Sequence, residues 1–186
     1  MFCTETRMAT SVHIPIGEYM QTTYRPDREY LDGELLERNV GKWEHARIQG
    51  LIMAWFSLHE TAWNVMAVTE IRVQVAATRV RIPDLAIVTP GLQPEVLTEP
   101  PILVVEILSP DDSFAEMAIR CADYRTMGVR NIWIVDPANR VGHTFLEREW
   151  IEGQQVLQVP GTEIALDLNR IFENLYQSTT TTTLQG

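Results

Sequence analysis

Pro100-Pro101-Ile102-Leu103-Val104-Val105-Glu106-Ile107-Leu108-Ser109-Pro110 sets one glutamate among six aliphatic side chains, with prolines at both ends. A short, β-branched run bounded this way reads as a buried strand over about 102–108. Glutamate is almost never fully buried without a partner. What neutralises Glu106 is therefore the first question the sequence raises.

The residues downstream decide how that strand is used. Asp111, Asp112 or Ser113 caps a helix that runs to Met127, and Gly128 stops it. Asn131 to Val135 is a second apolar strand, ended by Asp136-Pro137. The piece 102–135 is a strand–helix–strand crossover, long enough to join two parallel strands. Upstream, 65–68, 71–76 and 80–88 favour strands, with Ile71, Val73 and Val75 on one face. Their short connections predict antiparallel pairing.

The remaining segments complete the pattern. Residues 16–24 form a short helix or turn before Pro26. Residues 28–38 read as a hairpin around Asp32-Gly33. From Lys42 to Glu60, apolar residues at 48, 51, 52, 55 and 58 give an amphipathic helix. A proline-rich loop covers 91–101, a hairpin around Glu152-Gly153 covers 140–159, and a last helix covers 167–175. The fold class is α/β, a mixed β-sheet flanked by helices. The organisation expected is an extension over 1–14, one domain over 15–175 and a flexible tail over 176–186.

Composition narrows the function. The chain has 186 residues, 45% of them hydrophobic, and a formal net charge of −10. That charge argues against a basic coat for nucleic acid, but not against one local groove. It also suits a site for a divalent cation. No apolar run approaches the roughly 20 residues of a membrane-spanning helix, and the N-terminus lacks a signal layout. A cytoplasmic location with no membrane partner is the expectation. Cys3 and Cys121 form no CxxC pair, so zinc ligation is unsupported, and Cys121 reads as a small buried residue.

Asp84 repeats the oddity of Glu106. It stands in Val80-Arg81-Ile82-Pro83-Asp84-Leu85-Ala86-Ile87-Val88, an otherwise apolar stretch. Two like charges in neighbouring strands cannot both stay ionised without a cation between them. Magnesium or manganese would satisfy both, because a hard cation takes carboxylate oxygens and keeps several waters. Pro83 removes a backbone donor and predicts an edge or bulge that leaves Asp84 reachable. The plainer alternative gives Asp84 backbone N–H partners and Glu106 an arginine.

Four blocks now carry a resemblance: Arg81-Ile82-Pro83-Asp84-Leu85-Ala86-Ile87-Val88, the strand around Glu106, Ala122-Asp123-Tyr124-Arg125 with Gly128, and Ile132-Trp133-Ile134-Val135-Asp136-Pro137. Tyr30-Leu31-Asp32-Gly33-Glu34-Leu35 and His45 extend it. Together, over about residues 15–175, they resemble the Uma-type restriction endonuclease family of the PD-(D/E)xK nuclease superfamily. The resemblance implies a restriction-endonuclease-like core and a metal-dependent hydrolase of nucleic-acid phosphodiester bonds. It makes Asp84 and Glu106 the ligands of Mg2+ or Mn2+, and implies nucleic acid, DNA foremost, in a local groove. The family's lysine stands four residues before the tyrosine of the Ala-Asp-Tyr block; here that position is Arg120. Arginine matches phosphate geometry but cannot act as a base, so slow or lost hydrolysis is expected. In the plainer reading, Arg120 pairs with Glu116 one turn earlier.

Two further residues follow from the resemblance. Glu34 completes the metal shell or holds a water, or is simply a solvated hairpin residue. His45 contacts phosphate or the cation's water shell, or is structural. Tyr124 shares a helix face with Arg120 and packs beneath the site or bonds its hydroxyl to a carboxylate, packing being the favoured reading. Trp43, Met53 and Trp55 read as core or as a dimer seam, and helix 42–60 would carry a homodimer. A catalytically silent binding module and a structural protein remain as other classes.

Overall fold

Asp32 and Gly33 turn the chain back on itself with φ of 51° and 104°, the positive pair that two-residue hairpins favour. In the computed structural model, which describes residues 13–37, 42–110, 112–146 and 149–177, this turn joins β1 (Arg28–Leu31) to β2 (Glu34–Glu37). A short helix, α1 (Ile16–Gln21), precedes them. The helix α2 (Trp43–Trp63) follows and buries Ile48, Ile52 and Phe56; of the positions its spacing predicts, Ile48 and Ile52 are buried, Leu51 and Trp55 are partly buried against the core, and Leu58 is exposed. The expectations on Cys3, Arg38, Asp111 and residues 178–186 lie outside the described residues.

The expected strand 80–88 is two strands. After β3 (Met66–Thr69) and β4 (Arg72–Ala76) come β5 (Arg79–Arg81) and β6 (Leu85–Val88). Pro83 marks neither an edge nor a bulge. It lies in the link that carries the chain from one sheet to the other, since β5 and β6 belong to different sheets and are interior in both. The missing N–H therefore costs no ladder bond. The nearby irregularity falls in β4, between Gln74 and Ala76.

Within the proline-rich loop, Val96–Leu97 forms a two-residue strand, β7. The opening stretch is β8 (Leu103–Ile107), buried at every residue. α3 (Phe114–Met127) then crosses to β9 (Asn131–Asp136), which pairs parallel with β8. Ser113 caps α3 in a reciprocal box with Glu116, and Gly128 ends it at φ 107°. Both ends match the signals in the sequence.

The hairpin expected around Glu152-Gly153 turns elsewhere. β10 (Val141–Leu146) and β11 (Glu149–Gln154) pair across residues 147–148, which lie outside the described set. Gly153 sits inside β11 at φ 71°, beside a register shift between Gly142 and Thr144. It serves a bulge, for which a glycine in this conformation is suited as well as for a turn. The chain closes with β12 (Val156–Gln158), β13 (Ala165–Asp167) and α4 (Leu168–Glu173).

The architecture is thus α/β, with mixed sheets flanked by helices. One sheet runs β2-β1-β5-β4-β7 and the other β11-β10-β9-β8-β6-β3, with β12-β13 as a separate ribbon. Alternation along β8 divides the core. Leu103, Val105 and Ile107 pack with α2 and α4. Val104 packs with Met117, Cys121 and Tyr124 of α3 and with Val73 and Val75 of the first sheet. Glu106 has the parity of Val104 and so faces α3.

Candidate active site

Asp84 stands just before β6, and Glu106 one residue from the end of β8. Antiparallel pairing of β6 with β8, Leu85 opposite Val105, brings these strand ends side by side. The N–H of Ile107 donates to Asp84 Oδ2 at 2.8 Å. The same oxygen lies 3.3 Å from His45 Nε2 on α2. On the facing helix, the Tyr124 hydroxyl donates to Glu106 Oε1 at 2.6 Å, and Arg120 Nε approaches that oxygen at 3.3 Å.

Arg120 is held more firmly on its other side. Its Nη1 and Nη2 donate to the two carboxylate oxygens of Glu29 at 3.0 and 2.8 Å, a bidentate pair. Glu29 also accepts from Arg81 Nη1 at 2.8 Å and from the Ile82 N–H at 2.9 Å. Arg81 continues to Asp123 at 2.8 Å, and Asp123 accepts from Arg79. Buried carboxylates and arginines therefore alternate from β1 through β5 to α3. Glu116 takes no part, being bound to Ser113 at the helix cap.

Asp84, Glu106, Arg120, His45 and Glu29 all line one cavity of about 620 Å³. Four of the five residues singled out in the sequence thus converge. Glu34 does not: it is exposed at the start of β2 and is not among the lining residues. Glu29, on the paired strand of the same hairpin, is the buried acid of this region. Finding it required knowing that β1 pairs with β5, which local sequence signals do not state. Trp43 is also not core: it is 62% exposed and stacks on Tyr176. Trp55 does meet the core, and its indole N–H donates to the Ala165 carbonyl.

Both plainer partners are present, a backbone N–H for Asp84 and an arginine for Glu106. Burial pushes the Glu106 carboxyl above its ordinary range; Arg120 opposes this, and the charge of Asp84 adds to it. Burial alone would lower the Arg120 pKa, but Glu106 and Glu29 outweigh it and keep the guanidinium charged. Burial, then Glu106, likewise raises Tyr124, so it stays a donor. The two carboxylates facing one cavity are hard oxygen donors that fit Mg2+ or Mn2+, whereas the His45 imidazole beside Asp84 is a softer donor than those ions favour. Among the described residues, no group of three or more His, Cys, Asp or Glu is arranged to hold a metal. A cation here would therefore draw several ligands from water, as Mg2+ ordinarily does.

An acid just before one strand and another near the end of its neighbour lie beside a crossover helix in this α/β fold. A family model described as "Uma2: Putative restriction endonuclease" matches residues 18–176, and the chain belongs to that family. Membership supports a nuclease function. A crystal structure of "a putative nuclease belonging to DUF820" from Anabaena variabilis is similar, with TM-score 0.75 and 20% identity over 87% of this chain and 99% of the other. A cryo-EM structure of the DrdV–DNA complex matches with TM-score 0.44 and 12% identity, over 75% of this chain and 12% of that one. Comparison with curated proteins gives no match. No helix among the described residues is long and apolar enough to cross a membrane.

Proposed function

We propose that the chain is a divalent-cation-dependent endonuclease in which Asp84 and Glu106 hold Mg2+ or Mn2+ together. The observation that carries this reading is the pairing of β6 with β8, which sets both buried acids on the lining of the same cavity. It ties the two acids to one corner of one cavity. When bound, the cation would polarise a phosphoryl oxygen and lower the pKa of a coordinated water. Tyr124 and Arg120 orient the Glu106 carboxylate. Glu29 fixes the Arg120 guanidinium, which offers charge to the developing phosphorane. Arg120 stays protonated and accepts no proton. His45 lies beside Asp84, and an imidazole there is a group able to exchange one. With arginine in place of lysine, turnover is slow.

The proposal takes residues 15–175 as the catalytic unit and DNA as the substrate. It also takes a homodimer through α2, whose Leu58 is strongly exposed. A silent binding module is the second reading, favoured by Arg120. Supercoiled plasmid and a single-stranded circle incubated with Mg2+ or Mn2+ separate the two. Cleavage that Asp84→Ala abolishes supports the enzyme. Binding without cleavage in either metal supports the module.

A further inference from the structure

Hydrolysis of a phosphodiester needs a water held against the phosphorus, with acceptors for the water's hydrogens. Arg120 cannot supply one, because a guanidinium has donors only. The two acids are already engaged. Asp84 Oδ2 faces the Ile107 N–H and His45 Nε2, and Glu106 Oε1 faces the Tyr124 hydroxyl and Arg120. A shared cation would take further lone pairs of both.

Gln49 stands on α2 one turn beyond His45, and both line the cavity. Residues four apart share a helix face. The Gln49 Nε2 donates to the Asp84 backbone carbonyl at 3.0 Å. Chemistry fixes which head atom this is, since a carbonyl only accepts and only the amide nitrogen donates. The amide oxygen therefore points away from that carbonyl. Among the described residues no donor meets Oε1, and the atom is not sealed in the interior. Gln49 thus sets a neutral acceptor beside the residue that would hold the cation. The Asp84 carbonyl does not depend on the amide for a partner, because the Glu70 N–H also donates to it at 3.3 Å.

We propose that Gln49 positions the attacking water through Oε1, a role that rests on the hydrolase reading. The water, bound also by the cation, gives one hydrogen bond to Oε1 and turns a lone pair toward phosphorus. Its oxygen bonds to phosphorus, the ester P–O bond on the opposite side breaks, and the proton it loses balances the one gained by the leaving oxygen. The carboxamide neither takes nor gives a proton. A glutamine orients the attacking water in this way in GTPases.

Gln49→Met keeps the length of the side chain and removes both polar atoms. In single turnover with Mn2+ and supercoiled plasmid, its cleavage rate should fall roughly 10²-fold, the cost of a misplaced reactant. Mn2+ affinity by calorimetry, DNA affinity in Ca2+ and the melting temperature should not move. In wild-type crystals soaked in Mn2+, a water on the ion should lie within hydrogen-bond distance of Oε1. An unchanged rate overturns the proposal. So does a rate loss matched by weaker Mn2+ binding, which makes the amide a prop for Asp84 alone. If the wild type binds Mn2+ and cleaves nothing, the crystal decides, and an Oε1 that touches no ion-bound water overturns the proposal. If Mn2+ does not bind, the hydrolase reading falls and the role of Gln49 with it.

Discussion

Arg120 is gripped unequally by two carboxylates, at 2.8 and 3.0 Å by Glu29 and at 3.3 Å by Glu106. The stronger grip makes Glu29 the anchor of the site, because the same carboxylate also holds Arg81. Truncating one partner of a buried ion pair leaves an uncompensated charge, which costs about 3–5 kcal/mol. Glu29→Ala should lose stability on that scale in denaturant titrations. The weaker grip leaves Glu106 open to a second cation. Removing the charge with Arg120→Gln takes away a competitor for Glu106 and a donor for the reacting phosphate. Mn2+ should then bind at least as tightly by calorimetry, while cleavage falls by roughly 10²–10³-fold. Weaker Mn2+ binding would show that the arginine supports the metal rather than competing with it.

At the scale of the element, α3 has both ends specified locally and its buried face specified globally. Ser113 and Glu116 cap each other, and Gly128 supplies the left-handed residue at the far end. Ser113→Ala should cost about 1 kcal/mol, read from the thermal midpoint. The partner acid gives the pH dependence. The Ser113 hydroxyl and N–H hold Glu116 below its ordinary range. Its contribution is therefore present above the usual carboxylate range and fades as pH falls through the lowered value. The gap between wild type and Ser113→Ala, followed from neutral to acid pH, should narrow at the acid end without closing, because the Glu116 N–H still donates to the Ser113 hydroxyl when the carboxyl is protonated. These caps were legible because they depend on residues three or four apart. So were the β8–α3–β9 crossover and the turn at Asp32-Gly33. Gly153 was not, since a glycine at positive φ serves a turn or a bulge alike. Only the partner strand chooses between them.

Across the whole molecule, the site exists because the chain changes sheets between Arg81 and Leu85. That passage puts Asp84 at the start of one sheet and leaves Arg81 in the other, pointing at Glu29. The sequence named Asp84, Glu106, Arg120 and His45, whose apolar settings or family blocks mark them. It named Glu34 and left Glu29 unmentioned, because the pairing of β1 with β5 spans about fifty residues and leaves no local trace. The central claim is that Asp84 and Glu106 share one divalent ion. Anomalous diffraction from a crystal soaked in Mn2+ measures it directly. The expected result is a single anomalous peak between the two carboxylates, lost in Asp84→Ala. No peak there, or a peak bound by neither acid, would contradict the account.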